Sequence, residues 1–331
     1  MTSAMIVPET GSPDVLKQQT IERPEPASGE ILVRNHAAAV NFIDTIIRRG
    51  EMPEGMMPAL PHIPGVEGAG VIEALGPDVR GFSVGDRVAW MGPVGAGGYG
   101  THSVVATPCV TALDEGISFE QAAALPVNAL TAWHMLVNLG HLKSGDTILV
   151  HAAAGGVGTM ILQIAKHLGA TVIASVSTGK EDYARQQGAD YVIDYKKENL
   201  VESVRELTGG KGVDLTLNPI AGETLKTDLE LLAPLGTAVI FGFLGGMPSG
   251  SFAEDLARHF GKSVAVRVSD IYSHFTSRPE VFNADLGKVF GLLSSGVLSP
   301  NIRVLPIESA SEAHRQLESG QTTGKLVLTM A

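Results

Sequence analysis

Residues 146–170, DTILVHAAAGGVGTMILQIAKHLGA, decide the fold. The stretch opens with a continuous apolar run at residues 147–150, of the kind that a parallel strand shows when helices cover both of its faces. A turn of small residues follows, and beyond it apolar side chains recur at the spacing of one helix face. These side chains are Val157, Met160, Ile161, Ile164, Ala165 and Leu168. The stretch therefore predicts a strand, a tight turn and a helix.

The turn matches the G-x-G-x-x-G fingerprint of dinucleotide-binding proteins, with alanine at its first position. Ala153, Gly155 and Gly158 stand at the three fingerprint positions. Because Gly155 has no Cβ, the backbone there can approach a pyrophosphate, while Gly158 lets the helix pack closely on the strand. The residues that we predict to bind the cofactor in this turn are Ala153, Ala154, Gly155, Gly156, Val157 and Gly158.

Composition and charge exclude several classes of protein. The 331 residues include 35 acidic and 24 basic side chains, a formal net charge of −11, and no run of Lys or Arg exceeds two residues. Nucleic acid and anionic membranes are therefore excluded as main partners. No apolar stretch has the length of a membrane span and the N-terminus lacks a signal-peptide pattern, so we expect a cytoplasmic protein. The single cysteine, Cys109, excludes an internal disulfide framework.

Strand and helix patterns alternate over residues 125–268, which predicts parallel βαβ units and a doubly wound nucleotide-binding domain. One of the predicted strands covers residues 237–241, and no helix or strand is predicted between it and residues 264–268. Residues 1–124 read instead as short strands broken by Gly and Pro, the pattern of an antiparallel β domain. Residues 269–331 are too few to fold alone, and we assign them back to the first domain. We expect the cofactor to lie in the crevice between the two domains, at the carboxyl ends of the parallel strands.

The end of the second predicted strand indicates which dinucleotide binds. A domain that prefers NADH carries an acidic residue there, but this strand ends in ASVS at residues 174–177. Ser177 and Lys180 suit a 2′-phosphate instead, because they provide a hydroxyl donor and a cation. Tyr195 can add a phenolic donor or lie along the adenosine. These residues favour NADPH; the alternatives are a solvated Lys180 and an ordinary, partly buried Tyr195.

Six motifs distributed over essentially the whole chain resemble the medium-chain dehydrogenase/reductase superfamily, and within it the zinc-free quinone oxidoreductases related to ζ-crystallin. The motifs are NFIDT at residues 41–45, PGVEGAG at 64–70, GDRV at 85–88, ALTAW at 129–133, AAAGGVG at 152–158 and GKLVL at 324–328. The resemblance implies an α/β protein in which a GroES-like, β-rich substrate domain accompanies a Rossmann domain that binds NADPH. It also implies a homodimer joined through the edges of the two nucleotide-domain sheets.

The resemblance further implies that no catalytic metal is bound. Zinc-dependent members of the superfamily hold the metal with a Cys, a His and a further Cys or acidic residue. The matching positions here are Asn41, Val66 and Val127. Asparagine is a poor zinc ligand and valine has no donor atom.

Without a metal, the resemblance implies direct hydride transfer from NADPH to a quinone or to the β-carbon of an α,β-unsaturated carbonyl. Negative charge then develops on a carbonyl oxygen, and hydrogen-bond donors near that oxygen stabilise it. We expect the amide of Asn41 to be such a donor and Thr131 to contact the nicotinamide riboside. With these residues Asp44 completes the predicted catalytic set, although Asn41 and Asp44 can equally be a pair that stabilises a loop. The remaining predicted cofactor-binding residues are Asn128, Phe241, Phe243 and Lys325.

One departure from the family pattern bears on the substrate. Many relatives, the enoyl-thioester reductases included, carry a tyrosine where this chain has Met52, so water or another group must supply a proton. An enoyl-thioester reductase, our first alternative, also needs a basic patch for the CoA phosphates, and Arg48 and Arg49 are the nearby candidates. The second alternative is a non-catalytic NADPH-binding protein similar to the crystallins.

Overall fold

The computed structural model describes residues 1–330, which fall into two compact units, residues 131–271 and the remainder of the chain on either side of them. The described residues form fifteen strands. In chain order they are β1 (Thr2–Ile6), β2 (Lys17–Ile21), β3 (Glu30–Ala39), β4 (Glu67–Leu75), β5 (Arg87–Met91), β6 (His102–Ala106), β7 (Val110–Ala112), β8 (Thr147–Val150), β9 (Thr171–Val176), β10 (Tyr191–Asp194), β11 (Val213–Asn218), β12 (Leu232–Ile240), β13 (Ala265–Val268), β14 (Ile302–Pro306) and β15 (Lys325–Thr329).

Eleven α-helices connect the strands of the described chain. They are α1 (Phe42–Arg49), α2 (Phe119–Ala123), α3 (Pro126–Trp133), α4 (Gly156–His167), α5 (Glu181–Gln186), α6 (Leu200–Leu207), α7 (Glu223–Leu231), α8 (Phe252–Arg258), α9 (Ile271–Ser277), α10 (Pro279–Ser294) and α11 (Ala310–Glu318). Within residues 1–330, every helix is too short or too polar to cross a membrane.

The first unit, residues 1–130 together with the chain from residue 272, is built on one seven-stranded sheet. Its order is β14-β15-β3-β4-β5-β7, with β6 added beside β3, and β1 and β2 form a separate pair. All neighbours in this sheet run antiparallel except β14 and β15. β3 lies at the centre, where it pairs with β15, β4 and β6. The predicted β-rich domain is confirmed, and the pairing of β15 with β3 ties the end of the chain to it.

The second unit is the predicted doubly wound domain. Its six strands are all parallel, in the order β10-β9-β8-β11-β12-β13. The order reverses between β8 and β11, the point where open sheets of this kind bind ligands at the carboxyl ends of their strands. The apolar faces of α6 and α7 pack on the sheet around Leu149, Ile173 and Leu229, all of which are buried. The predicted parallel fold is therefore confirmed.

Two elements of the second unit differ from the sequence prediction. The pattern predicted a strand at residues 237–241, whereas β12 begins at Leu232, directly after α7. Leu235 adopts a left-handed backbone (φ 67°) and the pairing with β11 shifts register, so the early part of β12 lacks the regular alternation by which strands are recognised. The helix α8 lies in a segment for which the sequence predicts no helix; Ser251 caps it by accepting a hydrogen bond from the Glu254 N–H.

Candidate functional site

The glycine-rich turn follows β8 and leads directly into α4. Ala152 has a left-handed backbone (φ 50°), and Gly155 is the N-cap residue directly before α4. A Cβ on Gly158 would lie 2.6 Å from the carbonyl oxygens of both Ala152 and Ala153, whereas a Cβ on Gly155 would meet only the Ala152 oxygen, at 3.4 Å. Gly158 therefore permits the packing of helix on turn, and Gly155 leaves room above the backbone, as the fingerprint requires.

A buried polar network that the sequence did not reveal supports this turn. The ring of His151, which directly follows β8, lies 2.7 Å from the Asp228 carboxylate, and the Asn218 side chain donates to the other oxygen of Asp228 at 2.6 Å. The Oδ1 atom of Asn218 accepts the N–H groups of Ile220 and Ala221. The only signal in the sequence was a polar residue at the end of each of two apolar strands. The network fixes the ends of β8 and β11 relative to α7.

The residues predicted to select NADPH lie at the ends of β9 and β10, two neighbouring strands. The backbone N–H of Lys180 donates to the Ser177 carbonyl at 3.2 Å, closing the loop before α5, and burial lowers the pKa of Lys180. The N–H of Tyr195 donates to the Val176 carbonyl at 3.2 Å. Ser177, Lys180 and Tyr195 therefore stand at one edge of the sheet.

The sequence did not single out Asp194, which organises this loop. Its carboxylate pairs with the Lys197 ammonium at 2.8 Å, accepts the Thr178 hydroxyl at 2.7 Å and accepts the Lys196 N–H at 3.0 Å. These three donors, the Lys197 ammonium most strongly, hold the pKa of Asp194 at about 2. Asp194 is thus an anion that fixes the position of Thr178 between the two predicted phosphate-binding residues.

The other predicted site residues of the second unit lie outside the loop at residues 177–180. Phe241 follows β12, and its N–H donates to the Asn218 carbonyl at 3.0 Å, while Phe243 is half exposed in the loop beyond. Thr131 lies in α3 and is 9% exposed.

In the first unit, three polar side chains surround the buried ammonium of Lys325. Its Nζ atom lies 2.6 Å from Asn41 Oδ1, 2.8 Å from Glu67 Oε1 and 3.1 Å from Asn128 Oδ1. Lys325 is 6% exposed and Glu67 is fully buried. The structure therefore brings together Asn41, Asn128 and Lys325, three of the predicted site residues, and adds Glu67, whose importance the sequence did not show. We call these four residues the Lys325 cluster.

Glu67 connects both ends of the cluster. Its Oε1 atom accepts the Asn41 amide at 2.8 Å, and its Oε2 atom accepts the backbone N–H of Val127 at 2.7 Å. The Asn41 amide also contacts the Ala39 carbonyl at 3.4 Å. Both N–H bonds of Asn41 are thus directed at protein acceptors, although we had expected this amide to donate to the substrate.

Asp44, which we predicted to be catalytic, lies behind Asn41 and is 1% exposed. One of its carboxylate oxygens accepts the Asn41 backbone N–H at 2.9 Å, and the other accepts the N–H of Gly65 at 3.0 Å. Burial raises the pKa of Asp44 to about 7, although both N–H donors act to lower it. These contacts are those of the alternative interpretation, in which Asp44 stabilises the loop.

Residues 27–133 match the alcohol dehydrogenase GroES-like domain family, and residues 156–286 match the zinc-binding dehydrogenase family. A quinone oxidoreductase of Pseudomonas aeruginosa is 39% identical over 321 residues, 96% of each chain. The chain is a member of the quinone oxidoreductase family of medium-chain dehydrogenases/reductases. The resemblance that the six motifs indicated is confirmed, and the chain is an enzyme of the oxidoreductase class.

Two further members of the family are similar over nearly the whole chain. A 2-haloacrylate reductase of Burkholderia sp is 33% identical over 338 residues, 99% of each chain. The crystal structure of Escherichia coli quinone oxidoreductase complexed with NADPH superposes with a TM-score of 0.90 at 33% identity and covers 99% of each chain. Both similarities extend over the two compact units of this chain.

The medium-chain dehydrogenase/reductase superfamily also includes zinc-dependent enzymes, and the residues at the corresponding positions of this chain do not fit zinc. Val66 and Val127 have no donor atom, and Asn41 Oδ1 already accepts from the Lys325 ammonium. Within residues 1–330, no group of three His, Cys, Asp or Glu side chains has an arrangement that could hold a metal. A buried cation of the protein itself, Lys325, contacts Asn41, one of these three positions.

Proposed function

We propose that this protein is a zinc-independent, NADPH-dependent reductase that transfers hydride to a quinone or to an α,β-unsaturated carbonyl. The observation that carries the proposal is the Lys325 cluster, in which Asn41, at a position where zinc-dependent relatives have a metal ligand, instead accepts a hydrogen bond from a buried ammonium. The names of the relatives agree with it, because a quinone and a haloacrylate both present an electron-poor carbon conjugated to a carbonyl group.

The second unit supports NADPH as the cofactor. The Escherichia coli relative was crystallised with NADPH, and the turn at residues 153–158 has the open backbone that a pyrophosphate needs. Ser177 and Lys180 follow β9 without an acidic residue that would select NADH. When bound, NADPH supplies the hydride; the protein orients the acceptor and stabilises the charge that develops on its carbonyl oxygen. Water supplies the proton, since Met52 replaces the tyrosine of many relatives.

The enoyl-thioester alternative is less well supported. The two cations that could bind the CoA phosphates, Arg48 and Arg49, both pair with Glu318, and Arg49 also pairs with Glu51. Arg48 is 1% exposed and donates in addition to the Gly11 carbonyl. Guanidinium groups already bound to carboxylates give little further attraction to a phosphate.

Steady-state assays with a panel of acceptors test the proposal. We expect NADPH oxidation with benzoquinones and simple enones, little with enoyl-CoA esters, and no loss of activity after dialysis against a chelator. We also expect Lys180→Ala to lower kcat/KM with NADPH by about tenfold, the range expected for a lost charge-assisted contact, and to leave kcat/KM with NADH unchanged. Tight binding of NADPH without turnover of any acceptor would favour the crystallin-like alternative, and an unchanged kcat/KM in the Lys180 variant would contradict the cofactor assignment.

A further inference from the structure

The hydrogen bonds of the Lys325 ammonium use its whole donor capacity. An ammonium has three N–H bonds and no lone pair. The three acceptors around Nζ are Asn41 Oδ1, Glu67 Oε1 and Asn128 Oδ1, at 2.6, 2.8 and 3.1 Å. Lys325 therefore has no N–H left for a substrate, and its positive charge acts through the groups that it touches.

The charge of Lys325 also fixes which way the two amides face. Because an ammonium cannot accept a hydrogen bond, Asn41 and Asn128 must both present their oxygen atoms to it. Their NH2 groups consequently point away from Nζ. On Asn41 this NH2 group meets the Glu67 carboxylate at 2.8 Å and the Ala39 carbonyl at 3.4 Å, so neither of its N–H bonds is available.

Asn128 differs from Asn41 in this respect. Its NH2 group makes one long contact within the described chain, at 3.4 Å to the carbonyl of Ala124, four residues earlier. The second N–H bond meets no acceptor among residues 1–330, although Asn128 is only 4% exposed. A buried N–H without a partner is destabilising and is a feature of sites that await a ligand atom. The cation on Oδ1 also draws electron density from the amide, which makes this N–H a stronger donor.

We propose that Asn128 is the catalytic residue that donates a hydrogen bond to the substrate carbonyl oxygen, and that Lys325 is the positioning residue that orients and polarises its amide. The inference rests on the function proposed above. As hydride, a proton with two electrons, adds to the ring or to the β-carbon, the carbonyl π electrons move onto oxygen and the Asn128 N–H stabilises the resulting negative charge. The oxygen or the α-carbon then takes a proton from water. Glu67, 2.8 Å from the ammonium, neutralises its charge.

Alanine substitution of Asn128 tests this role, with Asn35 as the matched control. Asn35 is also an amide, 3% exposed, in the same unit, but it bonds Gly100, Ser103 and Trp90 instead of Lys325. We expect Asn128→Ala to lower kcat with benzoquinones by about 10²-fold, as loss of one oxyanion donor does. The Kd for NADPH should change less than about twofold, on the scale where tenfold is 1.4 kcal/mol. Asn35→Ala should lower the Tm and retain kcat.

A series of benzoquinones of different reduction potential distinguishes the loss of the Asn128 hydrogen bond from a general structural defect of the variant. A lost donor harms the least electrophilic quinones most, so log kcat should depend more steeply on potential in Asn128→Ala than in the unmodified enzyme. A structural defect would lower all rates by one factor. Equal slopes, or a kcat within about threefold of the unmodified enzyme, would overturn the proposal. If Asn128→Ala fails to fold, Asn128→Asp is the second variant, because it keeps the shape and the contact to Lys325 but lacks the N–H.

The role of Lys325 is tested with a substitution that leaves no unpaired charge in the protein interior. Lys325→Met alone would strand the Glu67 carboxylate, so we pair it with Glu67→Gln. We expect the double variant to fold and to show the same steeper dependence on quinone potential; an unchanged slope would contradict the role of Lys325. If the unmodified enzyme reduces no quinone or enone, the proposed function itself fails, whereas normal turnover by both Asn128 variants refutes only the role of Asn128.

Discussion

At the scale of single residues, His314 shows how hydrogen bonding fixes a protonation state. The Arg48 Nε–H donates to Nδ1 of His314 at 3.2 Å, so Nδ1 must be the acceptor nitrogen and Nε2 carries the hydrogen. Nε2 lies 3.0 Å from the Tyr99 hydroxyl, which therefore accepts and is free to donate to Asp44, its other partner. Burial and the cations Arg48 and Arg49 lower the pKa of His314 to about 3, in agreement with a neutral ring.

Asp44 and His314 make opposite contributions to the pH dependence of stability. Asp44, whose pKa rises from about 4 in the unfolded chain to about 7, binds more protons when folded, so its contribution falls as the pH rises between these values. His314, whose pKa drops from about 6.5 to about 3, binds fewer protons when folded, so its contribution falls as the pH drops through this range. Between about pH 4 and 6.5 the two contributions cancel.

Single substitutions should separate the two contributions. Asp44→Asn should make the free energy of unfolding rise with pH between about 4 and 6.5, and His314→Gln should make it fall, each by about 1.4 kcal/mol per pH unit relative to the native chain. Asp44→Asn should also lower stability at every pH, because one of its two N–H donors loses its acceptor. Urea unfolding at several pH values measures the slopes. Slopes of the same sign in both variants would show that these groups do not titrate as their burial implies.

At the scale of elements, the two fingerprint glycines have different tasks. Gly158→Ala places a methyl group 2.6 Å from two carbonyl oxygens and must push α4 away from β8, so we expect a loss of at least about 1–3 kcal/mol of stability together with NADPH binding. Gly155→Ala meets only one oxygen, at 3.4 Å, and should retain the Tm while NADPH binding weakens about tenfold or more. Thermal melting and fluorescence titration measure both. Equal Tm losses in the two variants would contradict this division of roles.

The elements also show how far the sequence could predict this structure. The parallel strands of the second unit could be predicted because each is a short apolar run followed by a helical pattern, and both signals are local. β12 was predicted incompletely because its irregular first half depends on its pairing with β11. Local sequence patterns indicate the periodicity of a strand but not irregularities such as a register shift.

The Lys325 cluster could be predicted only in part, for a different reason. The motifs that resembled the family contained Asn41 and Lys325, but these residues are 284 positions apart and no local pattern links them. Their contact follows from the register of β15 on β3, in which Val327 pairs with Ala39. The contacts of Glu67 and the orientation of the Asn41 amide depend on that contact. The sequence therefore could not predict that both N–H bonds of Asn41 have acceptors within the protein.

At the scale of the whole molecule, the six-stranded sheet ends in a strand that has one open edge. β13 pairs only with β12 among the described residues, and Val268 at its end is 65% exposed. Phe260, which precedes β13, and Leu235 of β12 are 86% and 79% exposed. An apolar open edge promotes pairing with another chain. We therefore propose that two copies associate through β13, as the family resemblance implied.

A charge placed on this edge should prevent that association. We expect the native chain, of 34.6 kDa, to sediment as a dimer and Val268→Lys to sediment as a monomer, because pairing through β13 would bury one lysine ammonium on each copy. Val304→Lys is the matched control: Val304 is 45% exposed on β14, the edge strand of the other unit's sheet. The Val304→Lys variant should remain a dimer. Sedimentation velocity at several concentrations distinguishes the states, and either a monomeric native chain or a dimeric Val268→Lys variant would exclude β13 as the interface.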